Sequence, residues 1–291
     1  MALHYDLHSH STASDGTMSP SELVAHAVQS GVDVLALTDH DTTRGIEEAQ
    51  TAATNTPLTL ITGVEISVTW DAKTLHIVGL NMDINNPELQ AGLASVLEFR
   101  DWRAHEISRR LAKNRINGAY EGACQYASGE VISRTHYARF LVEQGYCKTI
   151  REVFKRYLVP GKPGYVSGDW AKLEDAIGWI TRAGGQAVIA HPARYRLTGT
   201  KMRRLLGEYT ECGGVGIEVI SGSHSRDETY TMANFARLHN LYASAGSDYH
   251  GPINPWIELG RIPLLPEGCK PIWELWDENK SDGLKAEKLK C

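Results

Sequence analysis

VDVLALTDHD, residues 32–41, is an apolar run of strand length that stops abruptly on Asp39, His40 and Asp41. Aliphatic residues from Val32 to Leu37 suit a buried strand, and a buried strand carries acids and an imidazole at its end only where that end meets solvent or a ligand. The pattern recurs along the chain. PLTLITGVEIS (57–67) reaches Glu65 just after a glycine, TLHIVGLNM (74–82) carries His76, and GGQAVIAHP (184–192) ends at His191. GVGIEVISGSH (214–224) ends in small residues and His224, and NLYASAGSDYHG (240–251) ends with Asp248 and His250. At the beginning, a strand over residues 3–9 puts Leu3, Tyr5 and Leu7 on one face. His4, Asp6, His8 and His10 then share the other face, with Asp15 close behind. Amphipathic helices separate several of these runs. The clearest starts at Ser19-Pro20-Ser21-Glu22, an N-cap serine, a proline at the first helical position and a capping-box glutamate. Strand then helix, repeated about seven times, implies parallel strands with right-handed crossovers. Polar residues gathered at strand C-termini are how a β/α barrel builds its active site. One α/β barrel therefore explains all the strand-end residues together.

The chemistry follows from the donor set. His8, His10, Asp15, His40, Glu65, His76, His191, Asp248 and His250 offer nitrogen and oxygen only. They are too many for one tetrahedral zinc and suit two or three divalent ions with open positions. Any one histidine could instead be a core side chain satisfied by backbone carbonyls, His76 most readily because it lies inside its run. Manganese, iron and zinc all accept imidazole and carboxylate together. The five cysteines are scattered singly, which argues against a thiolate site or a disulfide framework. Residues 1–30 lack a basic region followed by an apolar run, and no stretch approaches the roughly 20 apolar residues of a membrane span. A cytoplasmic protein is expected. The net charge of −5 argues against coating extended nucleic acid.

DLHSHST, LTDHD, GVEIS, IAHP and SDYH, in that order, resemble the PHP (polymerase and histidinol phosphatase) family. The resemblance is close over residues 1–85 and 184–262. It implies a distorted (β/α)7 barrel, a two- or three-metal site and phosphoester hydrolysis. Position by position, it implies that His8 and His10 hold one metal with Glu65 and Asp248. Glu65 then bridges to a second ion held by His76 and His191, and Asp15, His40 and His250 hold a third. On this basis the nucleophile is a metal-bridging hydroxide, most simply on Mn(2+), and no protein nucleophile is needed. Asp39 and Asp41, which flank His40, could orient the ligands but read first as loop or cap residues and receive no catalytic role.

Between the two barrel parts, residues 86–183 read as helices. Asn86 and Pro87 open a long one, and SRTHYARFLVEQG and TIREVFKRYLV follow. Residues 100–162 carry thirteen Lys or Arg against six Asp or Glu, a local +7 that leaves −12 for the rest. A basic helical insertion over an anion-cleaving site is expected to act as a lid that attracts phosphorylated substrates. Ser133, Arg134, Thr135 and His136 stand at a helix start, where backbone N–H groups, hydroxyls and a guanidinium can cradle phosphate. Arg134 is the first candidate for substrate contact, followed by Arg103, Arg100 and His224. Trp102, Tyr137 and Tyr165 could stack on a base but read first as lid packing.

A barrel with such a lid resembles the PHP branch of nucleoside 3′,5′-bisphosphate phosphatases and of enzymes that trim short RNA from the 5′ end. The expected substrate is a nucleoside 3′,5′-bisphosphate losing its 3′-phosphate. The alternatives are a 5′-3′ exonuclease on short 5′-phosphorylated RNA or DNA, a histidinol phosphate phosphatase, and a non-catalytic metal-binding module. The charged segment 277–291 is expected to be a tail.

Overall fold

Ser19 starts the first helix as its sequence requires. Its hydroxyl accepts from Glu22 N at 3.2 Å, and the Glu22 carboxylate accepts from Ser19 N at 2.8 Å. The structure, a computed structural model, describes residues 3–127, 129, 131–252 and 255–276, so the expected tail lies outside the described residues. In chain order the elements are β1 (Tyr5–Asp6), α1 (Pro20–Gln29), β2 (Val34–Leu37), α2 (Ile46–Ala53), β3 (Thr59–Trp70) and β4 (Lys73–Leu80). Then come α3 (Pro87–Ala112), α4 (Ala119–Cys124), α5 (Arg134–Glu143), α6 (Ile150–Val153), β5 (Ala171–Lys172), α7 (Leu173–Arg182) and β6 (Gln186–Ile189). The chain continues with α8 (Gly199–Glu211), β7 (Gly216–Ser221), α9 (Arg226–Leu238) and β8 (Tyr242–Gly246).

Seven strands run round the barrel in the order β1-β2-β3-β4-β6-β7-β8, and β5 pairs with β3 beside them. Closure is between the two ends: Leu7 N donates to Ala245 O at 3.0 Å and Asp248 N to His8 O at 2.9 Å. β1 is shorter than the strand expected over residues 3–9: its ladder to β2 holds Tyr5 and Asp6 alone, and Leu3 is 57% exposed. The larger difference is β4. It runs antiparallel to both β3 and β6, breaking the parallel pattern. The cause is the two-residue turn Asp71-Ala72, with φ of 49° and 58°, which reverses the chain as a tight hairpin with no room for a crossover helix. Reversal brings His76, near the start of β4 and opposite Ser67, to the rim where the parallel strands end.

Leu7, Val34, Ala36, Val78, Leu80, Val188 and Ala190 form one core cluster, joined by Ile272 and Trp273 of the C-terminal segment. That segment pairs on β8 through Ala243 and Pro271, and Trp273 stacks on Tyr5 at 3.9 Å. A larger core joins β3, β4 and β6–β8 to α7, α8 and α9. The insertion between β4 and β6 divides by its packing. Ala104, Ile107, Leu111, Tyr137, Leu141, Leu158 and Val166 form a core of their own. Leu89 and Leu93 at the start of α3, and the whole apolar face of α7, pack on the barrel instead. Among the described residues no helix is long and apolar enough to cross a membrane.

Candidate metal centre and substrate cavity

Three strand ends turn sharply into the site. Asp41 after β2, His191 after β6 and Asp248 after β8 all adopt positive φ, of 56°, 30° and 58°. Such backbone strain in non-glycine residues is found where a site over-determines its conformation. The turns deliver side chains to one point. His8 Nε2 and His10 Nε2 lie 3.1 Å apart, and each is within 3.3–3.5 Å of Glu65 Oε2 and Asp248 Oδ1. Glu65 Oε1 lies 2.8 Å from His76 Nδ1 and 2.9 Å from His191 Nε2. Asp15 Oδ1 lies 3.2 Å from His250 Nε2 and 3.9 Å from His40 Nε2. All nine strand-end candidates thus share one cluster.

The donors fit divalent cations. Two imidazole nitrogens facing each other at 3.1 Å cannot both be satisfied by one proton when both are ringed by carboxylate oxygens. His40 Nδ1 and Glu65 Oε2 approach to 2.9 Å, yet both are buried without a hydrogen-bond partner among the described residues, as is Asp15 Oδ1. Atoms brought this close without bonding match groups arranged around a shared ion, at the separations expected for ligands about 2.0–2.2 Å from it. Three sets satisfy the spacing: His8, His10, Glu65 and Asp248; His40, Glu65 and His76; and His10, Asp15, His40 and His250.

Electrostatics show how much positive charge the cluster demands. Burial alone would raise the carboxyl pKa values, yet Asp15, Glu65 and Asp248 are all held well below the usual carboxylate range. His250 and His40 do this for Asp15, His76, His40 and His8 for Glu65, and His8 and His10 for Asp248. Burial likewise opposes protonation of His8 and His10. The surrounding carboxylates outweigh it, holding His8 well above its usual value and taking His10 up to about 10. A bound cation supplies this charge instead and leaves the imidazoles neutral, the form in which they ligate.

Neighbouring acids hold the donors in place. Glu218, on β7, accepts from His8 Nδ1 and from the backbone N of His191, both at 2.5 Å. Asp39 accepts from Ser11 N at 2.8 Å, Ser11 Oγ at 2.6 Å and Ser14 Oγ at 2.5 Å, which pins the loop carrying Asp15. Asp41 accepts from Ser67 N at 2.6 Å and from Arg100. The sequence reading ranked Asp39 and Asp41 first as loop or cap residues and missed Glu218, although a lone acid inside an apolar strand must find a partner.

Above the cluster is a cavity of about 160 Å³. Arg100, Arg103, Arg134, Ser133, Thr135, Phe154 and Trp170 line it from the insertion, with Arg194 on the β6 side. Ser133 caps α5, accepting from Thr135 N and donating to Asp15 Oδ2, both at 3.1 Å. Arg103 is buried with Arg100 and Arg134 beside it, and burial followed by these like charges pushes its pKa down to about 9. An anion relieves that repulsion. Arg194, unforeseen in the sequence, donates to Asp248 Oδ2 at 2.6 Å. His224 is not brought here. It lines a separate cavity of about 150 Å³ with Ser221, Thr229 and Trp256, and its Nδ1 donates to Val219 O at 3.2 Å. Tyr137 is fully buried in the insertion with its hydroxyl on Ala104 O, and neither Trp102 nor Tyr165 lines the cavity.

Comparison with known proteins finds relatives over nearly the whole chain. The PHP domain model matches residues 6–187. A 3′,5′-nucleoside bisphosphate phosphatase of Chromobacterium violaceum is 49% identical over 269 residues, covering 92% of this chain and 94% of that protein. The 5′-3′ exoribonuclease Rnm of Escherichia coli is 47% identical over 279 residues, 95% of either chain. An amidohydrolase structure from Chromobacterium violaceum, with bound sulfate and no metal, superposes with a TM-score of 0.91 at 47% identity, over 95% of this chain and 96% of that one.

Proposed function

The chain belongs to the PHP domain family and is a metal-dependent phosphoesterase, and from that premise we propose that it removes the 3′-phosphate of nucleoside 3′,5′-bisphosphates. One observation carries the proposal. A single cavity joins two halves that can receive phosphate, the histidine–carboxylate cluster once its ions are bound and the lid's Arg100, Arg103 and Arg134. A substrate with two phosphates fills both. The phosphatase relative from Chromobacterium violaceum is named for that substrate class.

In this reading His8, His10, Glu65 and Asp248 hold one ion, Glu65, His76 and His191 a second, and Asp15, His40 and His250 a third. Manganese is the metal we assign, and iron or zinc satisfies the same donors. When bound, the ions supply Lewis-acid charge on the phosphoryl oxygens and lower the pKa of water toward neutrality. The protein's own groups do the positioning. Glu218 fixes the His8 ring and the His191 backbone. Arg194, anchored on Asp248, presents positive charge beside the reacting phosphoryl group. The α5 N-terminus, with Ser133, Thr135 and Arg134, receives the non-reacting 5′-phosphate together with Arg100 and Arg103. Segment 86–183 serves as the lid: its independent core at 104–166 carries Arg134, and the start of α3 and α7 tether it to the barrel.

The similarity to the Escherichia coli exoribonuclease supports a second reading, in which the same arginines hold the 5′-phosphate of a short RNA and the cluster faces the next phosphodiester. The test is phosphate release from adenosine 3′,5′-bisphosphate with manganese and with chelator. A 5′-phosphorylated oligonucleotide and histidinol phosphate are assayed alongside. Manganese-dependent turnover of the bisphosphate is expected; turnover of the oligonucleotide alone reverses the ranking, and turnover of none marks a non-catalytic module.

A further inference from the structure

We infer that Trp170 is a positioning residue that sets the enzyme's preference for a doubly phosphorylated substrate, an inference resting on the two-phosphate reading above. Arg100 and Arg103 lie three residues apart on α3, and both are only 6% exposed. Arg100 is paired with Asp41 through Nε and Nη2 and also donates to Ser67 Oγ at 3.0 Å. Among the described residues, Arg103 hydrogen-bonds to a carbonyl instead, donating to Val166 O at 3.3 Å. What the two arginines share is the Trp170 ring. Their guanidinium carbons sit 5.0 and 5.3 Å from its centroid, within cation–π range, in a setting where little water competes.

Trp170 is itself bolted to the barrel. Its backbone N donates to Thr69 Oγ1 on β3 at 2.9 Å, and its indole Nε1 to Thr74 Oγ1 on β4 at 3.1 Å. The next residue, Ala171, opens β5 and pairs with Val68. Phe99 meets the indole edge-on at 4.9 Å. The ring also needs the absence of a side chain at Gly168, whose Cβ would lie 2.1 Å from Nε1. Trp170 therefore ties two lid arginines to the barrel strands that carry Glu65 and His76, and so fixes the spacing between the two halves of the cavity. It lines the cavity, and its effect runs through the arginines.

The experiment measures KM and kcat for adenosine 3′,5′-bisphosphate and adenosine 3′-monophosphate, with manganese saturating, in the wild type, Trp170→Leu and Trp170→Phe. The monophosphate lacks the group that the arginines hold. Trp170→Leu is expected to raise KM for the bisphosphate by at least about tenfold, with kcat little changed and the monophosphate unaffected. Trp170→Phe keeps an aromatic face but loses the bond to Thr74, and is expected to fall between. It also preserves the test if the leucine variant does not fold. Equal losses on both substrates, or a bisphosphate KM that stays at the wild-type value in both variants, overturn the role of Trp170. A wild-type enzyme that treats the two substrates alike refutes the two-phosphate reading and this inference with it.

Discussion

Glu218 spends both carboxylate oxygens on groups that face the metal cluster, His8 Nδ1 and the His191 backbone. A carboxylate there fixes the tautomer, leaving His8 Nε2 as a lone pair toward the ion. Glu218→Gln keeps the shape but can offer an amide N–H to His8 Nδ1, favouring the wrong tautomer. Manganese titration of activity should then show a half-saturation about 10–100-fold higher, with kcat recovered at saturating metal. An unchanged half-saturation would remove Glu218 from the metal's support. His136 makes a separate prediction, about stability. Burial pushes its pKa from 6.5 down to about 4, and its Nδ1 accepts from Ser133 N at the start of α5. Between pH 6.5 and 4 the unfolded chain takes a proton that the folded chain refuses, so stability falls as pH drops through this window and is unaffected above it. From pH 7 to pH 5 the wild type should lose about 2 kcal/mol more than His136→Gln, read from urea unfolding at both pH values.

Among the elements, α3 depends on a residue it lacks. Gly92 sits where a Cβ would lie 2.3 Å from the Trp179 ring on α7, so glycine lets the two helices close on each other. Alanine would gain about 1 kcal/mol in helix propensity, yet a clash with a packed indole costs about 1–3 kcal/mol. Gly92→Ala should therefore lower the melting temperature by a few degrees and raise substrate KM, because Arg100 and Arg103 ride on the same helix; a higher melting temperature would refute the close-packing account. Helix starts of this kind were legible: Ser19 and Asn86 cap where their sequences place them. So was the gathering of imidazole and carboxylate side chains at parallel strand ends, because a polar group that ends an apolar strand has few other uses. β4 was not legible. Its direction is set by Asp71-Ala72, and a left-handed pair without Asn or Gly carries no hairpin signature. Glu218 and Arg194 were hidden for a related reason, since their partners His8, His191 and Asp248 lie far from them or on other turns of the barrel rim. His224 misled because a strand end fixes only a position on the rim, and the loop after β7 turns its ring to Val219 O.

Across the whole molecule, charge is segregated. Residues 100–162 carry thirteen basic and six acidic side chains in a chain of net −5, so this part of the insertion is positive and the rest of the chain negative. Such a field draws phosphorylated substrates to the cavity mouth and repels them elsewhere, which raises the rate of encounter. Salt weakens this long-range part as the Debye length shrinks from about 10 Å at 0.1 M to about 3 Å at 1 M. The contacts inside the cavity respond less, because Arg100 and Arg103 are buried. The two contributions therefore separate by experiment. Raising sodium chloride from 0.05 to 0.5 M, roughly the range over which screening becomes short, should lower kcat/KM for the bisphosphate several-fold with kcat nearly constant. Replacing exposed lid cations far from the cavity, such as Lys113 and Arg115, with glutamine should flatten that dependence without changing the high-salt value. A salt response carried wholly by kcat would show that the charge acts on the chemistry, and a flat response that the lid's charge plays no part in capture.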